Sequence, residues 1–409
     1  MRLTLATVFV FMLSNMPAPL YAWWERSLRF DAATTSTLFS AYQVGVLLGL
    51  LMLGRIVDRV GWRISLSTAA LSISVSSVGF ALAADPLALG IARLCSGVSI
   101  GIYLSCGAAA ITASRAAMGK LDGPAITTLA VSSGLCLGPL STGLLIGLAN
   151  VDPLWLFIGQ AALLLSAAVL AWLSIPGRSA QRGRALTAAV PRMSELPVGL
   201  GSAAGIAVMT VTGAVCSIYL GVGSSFIQTQ LGSGTSLQAG LLIGLVFASA
   251  FAGQMLCRSQ SVPATAFWSL GLGMGAATFL VAAVLLTNVA FVFASAVFAG
   301  ASQGTGQFAG VSAIRDATSP SRWRHGFGRG QAWAYGLSGA LVLAVGWMSR
   351  LLDLPRSLVV WAAVCWVGLA VVAVVVVVRT KATKRREAVL ARRSVKHYAE
   401  CVTGSRMNP

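Results

Sequence analysis

Twelve apolar runs, each about as long as a bilayer is thick, follow one another along almost the whole chain and leave little room for anything else. A helix needs roughly 20 apolar residues to cross the hydrocarbon, where an unpaired backbone polar group is prohibitively costly, so runs of this length fold as spanning helices. The expected fold is an all-α membrane protein of 12 transmembrane helices, with spans from about 3–22 and 33–54 to about 356–379. Composition agrees with this reading. With 56% hydrophobic and 10% charged residues and a mean hydropathy of +0.82, most of these helices would have no polar face to offer water. The seventh and tenth runs, 199–222 and 289–312, are the least sharply bounded, because Gly, Ser and Gln interrupt them.

The cations sort the connections into two kinds. Of the 29 Lys and Arg, only Arg26, Arg29, Arg93, Arg350 and Arg356 fall outside the two termini and one alternating set of loops. That asymmetry follows the positive-inside rule and requires both termini in the cytoplasm, as expected of a multi-pass protein of a bacterial-type inner (plasma) membrane. The net charge of +18 therefore needs no nucleic-acid partner. A basic tail containing Lys384-Arg385-Arg386 is a topology anchor with affinity for anionic membrane lipids. Met1 to Ala22 has the outline of a signal peptide, but cleavage would leave an odd span count and invert every loop, so the segment is expected to stay as the first span. The seven cysteines are scattered and odd in number, which suits packing rather than disulfides or a metal site, and no metal or cofactor is expected.

The longest polar connection, 176–198, divides the chain into an N-terminal six-helix bundle at 1–175 and a C-terminal six-helix bundle at 199–379, followed by the basic tail at 380–409. Parallel repeats of this kind place a substrate site at the bilayer midplane, between the halves. Arg93, Gly97 and Gly101 in the fourth span find a faint parallel in Gly300, Gly304 and Gly306 in the tenth.

Three motifs carry chemistry. Gly54-Arg55-Ile56-Val57-Asp58-Arg59-Val60-Gly61-Trp62-Arg63 is a tight basic turn, in which Gly54 and Gly61 permit a sharp turn and Asp58 can pair with Arg59 or Arg63 or cap a helix as a breakable latch. Arg93 lies inside the fourth span, where a lone cation costs about 2.5 to 3.5 kcal/mol on insertion scales; it faces either the interior or, if near the helix end, snorkels outward. Gly134, Gly138, Pro139 and Gly143 in the fifth span allow close helix contact and a bend. Together these stretches resemble the major facilitator superfamily of solute transporters. The first matches its G-x-x-x-D-R-x-G-R-R loop except near Trp62, the second its R-x-x-x-G-x-x-x-G pattern, and the third its antiporter motif G-x-x-x-G-P-x-x-G-G except for Thr142.

The resemblance implies two pseudo-symmetric six-helix bundles working by alternating access, a role for Arg93 in proton transfer or gating, and, through the fifth-span motif, efflux of small organic molecules. No carboxylate falls mid-span, so Glu25 and Asp31, near the outer ends of the first two spans, are the available proton sites beside Arg93; both also read as solvated loop charges. Asn15, Gln43, Tyr103, Gln228, Gln303, Gln307, Gln331 and Tyr335 must avoid hydrocarbon and so face the interior, where they line a cavity for a neutral or weakly charged solute or bond neighbouring helices. Trp333 or Tyr335 would stack on a flat solute, whereas Trp23, Trp24, Trp155, Trp347 and Trp361 read as interfacial anchors. The chain is expected to act as a monomer on a small-molecule substrate, with protons as the coupling ion. Two other readings stay open: an uptake permease for a sugar, organic acid or amino acid, and a polytopic membrane enzyme or sensor. The last would need a polar catalytic cluster or a soluble domain, and the sequence offers neither.

Overall fold

The computed structural model describes residues 1–120, 123–175, 200–231, 235–317 and 323–404; the side chains at 52–58, 124, 228–231, 323–327, 329 and 384–404 lie outside the described set. The connection 176–198 therefore falls outside it as well. The described residues form helices and no strands. In chain order they are α1 Arg2–Asn15, α2 Tyr21–Ser27, α3 Ala32–Val60, α4 Trp62–Ala81, α5 Pro86–Ala116, α6 Gly123–Gly147 and α7 Pro153–Ser174, then α8 Ser202–Gly221, α9 Gly223–Leu231, α10 Ser236–Cys257, α11 Val262–Leu286, α12 Val289–Ala317, α13 Trp323–Leu352 and α14 Leu354–Gly404. Among the described residues, twelve spans are long and apolar enough to cross a membrane, the first being α1 and α2 taken together.

That first span is broken, contrary to the single helix expected over 3–22. Pro17 and Pro19 have no N–H to offer the carbonyls four residues earlier, so the helix gives way to a 3₁₀ turn at Ala18–Leu20 before α2 resumes. The last helix, by contrast, runs on without interruption from the twelfth span through the basic segment to Gly404.

Acidic side chains at one end of the bundle start the helices that enter from it. Asp85 accepts from the Ala88 N–H at 2.8 Å and Asp152 from the Leu154 N–H at 2.7 Å, each followed by a proline at the first helical position. Asp31 and Asp353 cap α3 and α14 through the Thr34 and Arg356 N–H groups, both at 2.9 Å. These acids are helix caps, each typically worth about 1 kcal/mol, and not free loop charges. Arg59, Arg63, Arg115, Lys120, Arg258 and Arg315 lie at the other end, called here the basic end.

Among the described residues the apolar core has two large clusters, one drawn from residues 3–175 with Ile243 added and the other from 200–376 with Phe39 added, and a small third one of Met209, Ile314 and Ala334, so each half folds around its own interior. Glycines set the closest approaches. A Cβ built on Gly97 would stand 3.0 Å from the Gly45 Cα, and one on Gly101 2.9 Å from the Gly49 Cα, so α3 and α5 meet backbone to backbone. In the second half, Gly304 meets α10 at Ala250 in the same way, with 2.8 Å to its Cα. Gly97 and Gly101 thus have structural counterparts in Gly300 and Gly304, whereas Gly306, the third glycine of the sequence parallel, packs on Thr212 of α8 instead.

Candidate functional site

A cavity of about 300 Å³ opens between the two halves, and both contribute to it. Asn15, Gln43, Gln303, Gln307, Gln331 and Tyr335 line it together with Ser14, Phe39, Tyr42, Phe247, Phe251 and Gln254. None of the described side chains that line it is an acid, a lysine, an arginine or a histidine. Three of the amides carry a buried atom with no hydrogen-bond partner: Asn15 Nδ2, Gln43 Oε1 and Gln303 Oε1. An unpaired buried polar atom costs about 1 to 3 kcal/mol, which a hydrogen-bonding occupant would recover. The volume lies at the lower end of the range for small-molecule sites.

Other candidates lie elsewhere. Tyr103 is buried among the apolar residues of the first half and does not line the cavity, and Trp333 is 65% exposed, projecting away from it. Two residues along a helix rotate the side chain by about 200°, so Trp333 and Tyr335 cannot share a face. Trp24 and Trp361 are buried too, at 3% and 2% exposure, and are not interfacial anchors; Trp24 stacks on Phe157 at 6.0 Å. The side chains of Gly54, Asp58 and Gln228 fall outside the described residues. Of the basic turn, Gly61 takes the left-handed φ of 83° that a tight helix-to-helix turn requires, Arg59 is exposed, and Arg63 lies over the Trp172 ring at 3.9 Å.

Arg93 faces inward, only 2% exposed. Its Nε donates to the Tyr21 hydroxyl at 2.6 Å and its Nη1 to the Ser14 carbonyl at 2.9 Å, and its guanidinium lies 5.1 to 5.6 Å from the rings of Tyr21, Tyr42 and Phe80. It makes no ion pair among the described residues. The cation is stabilised by aromatic faces and by the Ser14 carbonyl and Tyr21 hydroxyl on either side of the break in the first span. Tyr42 in turn shares a hydrogen bond with Ser14 Oγ at 2.6 Å, and both residues line the cavity.

At the end away from the basic loops, the halves are clasped. Asp31 accepts from Arg350 at 2.7 and 3.2 Å, Trp347 Nε1 donates to Thr37 Oγ1 at 3.3 Å, and Ser40 Oγ to the Gly339 carbonyl at 3.0 Å, all between α3 and α13. Glu25 on α2 accepts from Thr35 in its own half and from Ser225 of the other half, the latter at 2.6 Å. On the far side of the bundle, α6 meets α10. A Cβ on Gly240 would fall 2.5 Å from the Pro139 carbonyl and 2.7 Å from the Gly143 Cα. The upper part of the same motif packs within its own half instead, Gly134 and Gly138 lying against Val8, Phe11 and Met12 of α1. Thr142, the departure from the motif, donates to the Met16 carbonyl at 3.0 Å, with its own helix's Gly138 carbonyl an alternative acceptor at 3.1 Å. The substitution thereby pins α6 to the break in the first span.

The Arg350 guanidinium holds the Asp31 carboxyl down at about 2. A carboxylate so depressed contributes its pairing above the ordinary Asp range and loses it only as pH falls towards 2, so it stays charged through physiological pH and carries no proton there. Both partners are partly exposed, which limits what the pair contributes. Asp31→Asn is accordingly expected to loosen this end only modestly, raising alkylation of a Ser40→Cys probe from that side by about two- to fivefold. No change in labelling would make the pair a capping contact alone.

The sequence model of the Major Facilitator Superfamily matches residues 3–261. An uncharacterized MFS-type transporter of Bacillus subtilis (strain 168), YhjO, is 32% identical over 123 residues, a match that spans 30% of this chain and 30% of that relative. Among solved structures, a bacterial homologue of the human lysosomal transporter Spinster, inward-facing and unoccupied, superposes with a TM-score of 0.71 at 15% identity over 93% of this chain and 96% of that one. The nucleoside transporter NupG gives 0.69 at 14% identity over 91% and 98%. A POT family transporter bound to 5-aminolevulinic acid gives 0.68 at 12% identity over 93% and 95%. At these identities the likeness concerns the fold alone.

Proposed function

This chain belongs to the major facilitator superfamily, a multi-pass membrane transporter, and from that premise we propose that it exports a small organic molecule in exchange for protons by alternating access. The observation that carries the reading is the fifth-span motif, whose lower part forms the seal between the halves: Gly143 and Pro139 abut Gly240 at the end remote from the basic loops. If the basic end is cytoplasmic, as the charge asymmetry requires, this is a state closed to the outside whose cavity loads from within. Opening to the outside must separate α6 from α10 and α3 from α13, and must also take Ser225 away from Glu25.

Glu25 is the coupling group in this reading, since Asp31 is held ionised by Arg350. As a carboxylate Glu25 accepts two hydroxyl hydrogen bonds that hold α2 against α3 and α9. Protonation weakens it as an acceptor and favours separation of the halves. One proton moving through about 100 mV supplies roughly 2.3 kcal/mol, enough to drive a substantial gradient of a neutral solute.

The test is accumulation of a panel of labelled solutes in energised inverted vesicles, with and without a protonophore. Export should collapse with the gradient. Glu25→Gln, which keeps the hydrogen-bonding shape and removes the titration, should flatten the pH profile while retaining downhill exchange. Protonophore-insensitive movement down a solute gradient would leave a facilitator, and concentrative uptake into intact cells a permease.

A further inference from the structure

We infer that the cavity takes an uncharged, flat solute with adjacent hydrogen-bond donors and acceptors, of the carboxamide or lactam type, and rejects organic cations; the inference rests on the reading of this cavity as the transport site. Two independent features carry it. The first is what lines the walls. Primary amides share the walls with Ser, Thr and Tyr hydroxyls, but it is the amides Asn15, Gln43 and Gln303 that each retain an unpartnered buried atom. A primary amide presents a donor and an acceptor side by side, which pairs two-pronged with another amide edge, as it does with the donor–acceptor edge of a heterocyclic base. A single hydroxyl or a lone charged group would satisfy only one prong. Phe39, Tyr42 and Tyr335 add aromatic faces to the same walls, which suit a planar ring between them.

The second is the local charge. Among the described residues the lining holds no carboxylate to neutralise a cation, and Arg93 stands directly behind two lining residues, Ser14 and Tyr42, without an ion pair. An uncompensated positive charge in a low-dielectric interior repels a second one strongly. An anion would meet no cationic side chain among the described lining residues to replace its hydration, since Arg93 is covered at 2% exposure and donates to Tyr21 and Ser14 instead. The neutral solute is what remains, and the orphaned amides specify its edge.

The experiment is equilibrium binding to the purified full-length protein in nanodiscs, without any ion gradient. The probes are nicotinamide and uracil as neutral amide and lactam, sorbitol as a polyol, benzoate as an anion and tetraphenylphosphonium as a cation. Nicotinamide or uracil should bind saturably and at least tenfold more tightly than the other three. Gln303→Leu and Gln43→Leu should each weaken that binding by about tenfold or more with an unchanged melting temperature, while Trp268→Leu on the exposed face of α11 should not. Tighter binding of tetraphenylphosphonium or benzoate, preference for sorbitol, or no saturable binding of either neutral ring would overturn the assignment. Because no gradient is present, failed export or coupling leaves this result standing, and the two readings fail separately.

Discussion

Arg93→Ala should reduce transport to below about a tenth of wild type at unchanged membrane abundance. The prediction turns on two energies of similar size. Removing a lone buried guanidinium relieves a burial cost of about 2.5 to 3.5 kcal/mol. It also removes hydrogen bonds to Tyr21 and the Ser14 carbonyl, worth about 1.5 to 3 kcal/mol each when one partner is charged. The two bonds total about 3 to 6 kcal/mol, so the net loss is about 1.5 kcal/mol at mid-range, small enough for the bundle still to fold. What is lost is a connection. Arg93 ties α5 to both sides of the break in the first span; one side, through Ser14, forms the cavity wall, and the other, through Tyr21, leads along α2 to Glu25 and its clasp on Ser225. A contiguous path of this kind can couple cavity occupancy to the clasp if the break has two arrangements.

Arg93→Lys separates charge from geometry. A lysine keeps the cation but not the planar fork that reaches two acceptors while lying against aromatic rings. Partial transport is expected, above Arg93→Ala and well below wild type. Equal, near-normal transport in both variants, measured against surface-normalised protein, would reduce the aromatic cage to packing.

The spans were legible because the bilayer imposes length and hydropathy together, and that constraint is stronger than any local propensity. Orientation on a helix was not. Lipid tails and protein interior are equally apolar, so the pattern that separates core from surface in water is nearly absent here. Trp24 and Trp361 were misplaced for this reason, and so was Trp333. Polar side chains escape the ambiguity, since hydrocarbon excludes them on every face: Asn15, Gln43, Gln303, Gln307 and Gln331 come to one cavity although they are drawn from four helices. Tyr103 shows the limit of the rule, because its ring is apolar enough to be buried with its hydroxyl unpartnered. Pro17 and Pro19 stand in plain view in the first span; their consequence, a helix break occupied by Arg93 and Thr142, depends on residues some 75 and 125 positions away that only packing brings near. Contacts between helices are likewise silent in one sequence, so nothing marked Gly45 and Gly49 as the partners of Gly97 and Gly101.

Gly240→Leu should abolish cycling while leaving both bundles intact, and Gly138→Leu should do the reverse damage. At Gly240 even a Cβ would fall 2.5 Å from the Pro139 carbonyl and 2.7 Å from the Gly143 Cα, backbone atoms of the opposite half that cannot rotate away. The side chain is accommodated by keeping α10 and α6 apart, so the closed arrangement is lost and the open one at that end is favoured. A bias of about 3 kcal/mol, at the upper end of overpacking costs, shifts such an equilibrium by roughly two orders of magnitude. Transport should then fall by tenfold or more at normal abundance, and Asp31→Cys and Arg350→Cys, which face each other across α3 and α13, should no longer cross-link. Gly138 lies against Met12 within a single half, where a leucine would prise α6 from α1, so Gly138→Leu should lower abundance and melting temperature first. Normal transport in Gly240→Leu would show that the α6–α10 contact opens and closes without being a seal, and would remove the fifth-span motif from the cycle.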